Sequence, residues 1–69
     1  MNKQQKLEKL ATAARALETA RLALADVAGD SGDSWYVCQD AAYLADHVQE
    51  LLSGDGLLED LIGFVEKDL

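Results

Sequence analysis

Five residues of this chain have both the types and the spacing to act together: Tyr36, Asp40, Tyr43, His47 and Glu50, separated by 4, 3, 4 and 3 positions. On a helix that spacing puts them on one face. An imidazole beside carboxylates and a phenol could ligate a metal, but one histidine with scattered carboxylates falls short of the usual ligand sets. Aromatic rings interleaved with acids suit recognition of another protein better. Tyr and Trp supply large contact area at low entropic cost. Trp35, at the start of the same stretch, and Asp46 complete a candidate partner-binding set of Trp35, Tyr36, Asp40, Tyr43, Asp46, His47 and Glu50. The competing reading buries the rings under a third helix or against a second subunit. Cys38, the single cysteine, falls among apolar residues with no activating base in view, and reads as a small core residue.

The charge pattern points the same way as the stripe. Positions 22–66 contain ten carboxylates and no lysine or arginine. Five of the six basic residues fall in the first 21 positions, and the net charge is −7. Such a field repels nucleic acid and anionic membrane and attracts a basic partner. The bland alternative is acidity for solubility alone. The expectations are therefore a basic protein partner, nucleic-acid-binding proteins included, with no direct nucleic-acid binding and no membrane association.

These residues need elements to hold them. With no proline, and with glycines clustered at Gly29/Gly32 and Gly54/Gly56, the chain divides into helices over about 3–28, 34–53 and 56–67. In the first, Leu10, Ala13, Leu17, Ala20, Leu24 and Val27 repeat at 3-4-3-4-3, a coiled-coil-like seam, among eight alanines. Asn2 and Gln5 are placed to form a capping box, and Gly29 to supply a left-handed stop. In the second, capped by Asp33 or Ser34, Val37, Cys38, Ala41, Leu44, Ala45, Val48, Leu51 and Leu52 fall in one arc of roughly 140°. In the third, Asp55 is the expected cap, Glu59 and Asp60 suit the positive N-terminal end, and Leu58, Leu61, Ile62, Val65 and Leu69 form the apolar stripe, flanked by Leu57 and Phe64. The short connection at 29–33 requires the two long helices to lie antiparallel. The fold class is all-α: a long antiparallel helical hairpin plus a short third helix that folds over one end or docks on a second subunit. The core or dimer seam expected is Leu10, Ala13, Leu17, Ala20, Leu24 and Val27 with Cys38, Ala41, Ala45, Val48 and Leu52.

Sixty-nine residues make one domain at most, and so short a chain buries only about 60% of its unfolded surface. Neither a disulfide nor a Cys/His metal cluster is available to reinforce it, so a second subunit is expected. The start of the chain lacks the apolar stretch of a signal peptide, no run approaches a membrane span, and a lone thiol fits a reducing cytoplasm.

Three short resemblances bear on function. Gly29-Asp30-Ser31-Gly32 is similar to the GDSG around the nucleophile of trypsin-like proteases. The β-barrels that position that serine need far more residues, and His47 lies on the other side of its helix from the core, so a turn is the reading here. Gly32-Asp33-Ser34 at a helix start resembles the acyl carrier protein family, which implies phosphopantetheine on Ser34. Trp35 stands where that family has leucine, and the first helix here is long instead of short. The hairpin, its size, the Lys3-Gln4 start and a cysteine early in the second helix resemble the Rop family of RNA-binding plasmid copy-number regulators. That resemblance implies a dimeric helical bundle. The RNA-binding face is not matched, because the middle of the first helix offers Leu10, Ala14, Glu18 and Ala25.

The reading is protein binding without catalysis and without a cofactor: a small acidic antagonist or adaptor of the phage or mobile-element inhibitor type, anti-CRISPR and anti-restriction proteins being examples of type. The alternatives are a structural or regulatory dimerisation module and a carrier modified at Ser34.

Overall fold

The computed structural model describes residues 1–68, and Leu69, assigned above to the stripe of the third helix, lies outside them. The described residues form three helices and no strand: α1 (Lys3–Ala28), α2 (Trp35–Leu52) and α3 (Leu57–Glu66). The fold is all-helical, a long helix against a bent helix pair.

The start of α1 follows from two side chains. Asn2 Oδ1 accepts the Gln5 N–H at 2.8 Å, and Gln5 Oε1 accepts the Asn2 N–H at 3.0 Å. This reciprocal pair satisfies two of the donors that a helix start leaves open. The far end differs from expectation. Gly29 has φ −86° and ψ 0°, in the right-handed region, so no left-handed stop forms. The Gly29 N–H reaches the Ala25 carbonyl, and the Asp30 N–H that of Val27. Asp30 Oδ1 then accepts the Gly32 N–H at 3.0 Å, so the GDSG stretch is a turn built by its own aspartate. Ser34, the residue before α2, caps it by accepting the Val37 N–H at 3.3 Å.

The Asp55 cap does not form either. Gly56 is the N-cap of α3, with no side-chain hydrogen bond there. The reason is space. A Cβ at Gly56 would stand 2.6 Å from the Leu51 carbonyl oxygen and would collide with that of Glu50. The chain is pressed against the end of α2, and only glycine fits. Its φ of −79° is ordinary, so it is room and not backbone freedom that requires glycine here. Glu59 and Asp60 do occupy the first turn of α3, where the helix dipole favours negative charge.

At 1.5 Å per residue α1 is about 39 Å long, and α2 and α3 together are about 42 Å. The bent pair therefore matches α1 in length. Leu61 and Val65 of α3 line a depression with Met1, Lys6, Lys9 and Leu10 of the α1 end. Lys3 Nζ lies 3.6 Å from Asp68 Oδ2 at the same end. The third helix thus continues along the hairpin.

The packing between α1 and α2 is thin. Ala41 and Ala45 are the buried hydrophobic residues, and no large side chain is fully buried among those described. Cys38, Val48 and Leu52 are half-buried on the same side of α2, as the expected seam requires. On α1 the seam is shifted. Leu10, Ala13, Leu17 and Leu24 are half-buried, but Ala20 is exposed and Val27 is 41% exposed. The half-buried row runs Leu7, Leu10, Ala14, Leu17, Arg21, Leu24, Ala28, a 3-4 repeat sharing Leu10, Leu17 and Leu24 with the expected one. Alanine flanks the shared leucines on both sides, so composition alone does not choose between the rows. Arg21 stands half-buried on this row, its guanidinium paired with Glu18.

Candidate protein-binding surface

The core positions Cys38, Ala41, Ala45, Val48 and Leu52 give α2 an inward side. At 100° per residue Tyr43 lies diametrically opposite their centre. All seven candidate residues, Trp35, Tyr36, Asp40, Tyr43, Asp46, His47 and Glu50, fall within about 140° around it. They are exposed, Tyr36 at 73%, Trp35 at 66% and Tyr43 at 64%. Within the chain the rings are therefore not covered by α3, which follows the line of the hairpin.

Neighbouring rings hold one another. Tyr43 and His47 meet edge to face at 4.4 Å between centroids and 77° between planes. Trp35 and Tyr36 do the same at 5.2 Å and 77°. Both are geometries that aromatic quadrupoles favour. His47 Nδ1 lies 3.7 Å from Glu50 Oε2, an ion pair when the imidazole is protonated. The order Tyr43–His47–Glu50 along one edge is thus partly preorganised by its own contacts.

Electrostatically the edge is one-sided. The ion pairs among the described residues are Lys3–Asp68, Arg21–Glu18 and His47–Glu50. Asp40 and Asp46 consequently carry charge that no lysine or arginine of the described chain neutralises. The contrast is Glu18, whose carboxyl is held below the usual carboxylate range by the hydrogen bond from Arg21. That hydrogen bond raises Arg21 in turn.

The other sequence candidates fall elsewhere. Ser34 Oγ is engaged as the α2 cap. Cys38 is half-buried, and its thiol donates to the Asp30 carbonyl at 3.2 Å, with the Val27 carbonyl at 3.7 Å. This pins the turn against the start of α2. Among the described residues no three His, Cys, Asp or Glu side chains converge as metal ligands would. No described helix is long and apolar enough to cross a membrane.

One set of outward residues was not anticipated. Val37, Leu44 and Leu51 belong to the apolar arc of α2, yet they are 41%, 51% and 39% exposed. The heptad interval between them was visible in the sequence. What was missing is the narrowness of a contact between just two helices, which covers only the centre of a 140° arc. No family model, curated protein or solved structure matches this chain, so its function is argued from its own residues.

Proposed function

We propose that the outer edge of α2 is a docking surface for a basic protein, and that the chain acts by occupying that protein's surface. One observation carries the reading. The largest aromatic side chains of the protein stand outward on one helix edge, interleaved with carboxylates that have no lysine or arginine partner among the described residues. Exposed aromatics of this size are recruited to binding centres, and the surrounding acids steer a cationic partner. Carboxylates on a rigid helix can occupy the groove in which a nucleic-acid-binding protein holds phosphates. On that view the chain is an antagonist or adaptor of the compact acidic inhibitor type, and it has no reaction of its own.

The test uses two baits in parallel, the wild-type chain and the Asp40→Lys/Glu50→Lys variant, in extract from the native host. The proposal expects a basic protein that the wild type retains, that salt elutes, and that the variant does not retain. Capture of the same proteins by both baits, unaffected by salt, would refute it.

A further inference from the structure

We propose that one broad side of the hairpin is covered by a second copy of this chain, packed with the leucine row of each copy on the alanine row of the other. The inference is independent of the docking edge described above.

The side is defined by helical geometry. Ala13, Ala20 and Val27 lie about 60–100° from the packed centre line of α1, and Val37, Leu44 and Leu51 lie about 60–100° from that of α2, in the same rotational sense. Because the helices face each other antiparallel, the same sense on both means the same broad side. The opposite sense carries Glu18, Arg21, Gln49 and Ser53, which line one groove together on the other broad side. One side thus carries a paired polar groove among alanines, and the other sets Ala13, Ala20 and Val27 beside the larger row Val37, Leu44 and Leu51. The Cys38 thiol on the Val27 carbonyl fixes the register. Val27 lies near Val37, and steps of seven residues bring Ala20 beside Leu44 and Ala13 beside Leu51.

Area supports a large missing contact. The chain exposes 5171 Å². A compact monomer of 7.5 kDa exposes about 4,250 Å². The excess of roughly 900 Å² is close to the ~800 Å² that each partner buries in a standard interface. The radius of gyration of 15.0 Å exceeds the ~11 Å of a compact domain of this length. Extents of 48 × 19 × 14 Å describe an elongated rod about two helices across. Laying two such hairpins side by side gives a four-helix arrangement with an interior.

A second copy, unlike an arbitrary partner, fits this side without adjustment. A two-fold axis parallel to the helices places α1 of one copy over α2 of the other while preserving position along the axis. Leu44 then meets the partner's Ala20, Leu51 the partner's Ala13, and Val37 the partner's Val27. Large meets small in the two leucine–alanine pairs and valine meets valine in the third, as close packing between helices allows.

The experiment is sedimentation equilibrium across the micromolar range. Wild type should report twice the chain mass. Leu44→Glu and Ala20→Lys should each halve that value, since each puts an unpaired charge into the interface. An equimolar mixture of the two should regain the doubled mass. In the mixed pair the new carboxylate of one chain faces the new ammonium of the other, and the second half of the interface is wild type. Ala42→Glu, on the polar side, should leave the doubled mass unchanged. Chain mass for the wild type throughout, failure of the mixture to associate, or loss of the dimer in Ala42→Glu would each overturn the proposal.

Discussion

Tyr43 and Leu44 are adjacent in sequence and both more than half exposed, yet they belong to surfaces of opposite character. Around Tyr43 lie Asp40, His47 and Glu50, where no lysine or arginine of the described residues pairs with the carboxylates. Around Leu44 lie Val37, Leu51 and the alanines of α1. One step along α2 turns the side chain by about 100°, which is enough to pass from a polar edge to an apolar side. The difference teaches how so small a protein can present two separate surfaces. A charged aromatic edge can stay hydrated with nothing bound to it. An apolar side has no such resting state in water and is best covered permanently.

The largest expected effect concerns the joint that keeps both surfaces straight. Gly56→Ala sets a methyl against the Leu51 and Glu50 carbonyls. Overpacking against rigid backbone should cost about 3 kcal/mol, measured by chemical denaturation. A loss under ~0.5 kcal/mol would show that the bend at Gly56 is not required.

Next in size is Ser34→Ala, which removes the oxygen that receives the Val37 N–H. Loss of such a cap costs about 1 kcal/mol, so the melting temperature should fall by several degrees. Intact mass of the native protein separates this role from the carrier alternative: a mass increment removed by the same substitution would favour the carrier.

Tyr43→Ala sharpens the comparison directly. The ring stands outward and touches His47, so stability should change by no more than about 0.5 kcal/mol. Partner dissociation should accelerate, because affinity changes at an interface fall mostly on the off-rate. A loss of several kcal/mol would place the ring inside an interface between copies, and the edge would then be structural.

The smallest effect is one of pH. The Arg21 hydrogen bond lowers the Glu18 pKa in the folded chain. Its contribution is therefore fully present above the ordinary carboxylate range and is lost as pH falls through the lower folded value. Glu18→Gln should flatten this part of the acid limb of the stability curve slightly, followed by circular dichroism. An unchanged limb would assign the acid sensitivity to other carboxylates.

Much of the fold was legible in the sequence, because helix boundaries here rest on local chemistry: Asn2 with Gln5, Ser34, and the glycine pairs. The candidate row was legible for the same reason, since a 4-3-4-3 spacing on a helix fixes a face whatever the tertiary structure. Two caps were misread, for different reasons. Gly56 is pressed on the end of α2, a tertiary closeness, whereas Gly29 runs into a local turn that Asp30 closes on Gly32. Ala20 and Val27, expected in the core or dimer seam, stay outside the row that packs within the chain, because alanine borders the shared leucines on both sides and spacing alone does not say which flank turns toward α2.

The most direct test of the central claim measures the Asp40→Lys/Glu50→Lys protein against a partner captured by the wild type, with association rates followed over a range of ionic strength. Docking through the α2 edge predicts a sharply reduced association rate, a flattened salt dependence and an unchanged sedimentation mass. Wild-type association kinetics at low salt in the doubly reversed protein would contradict it.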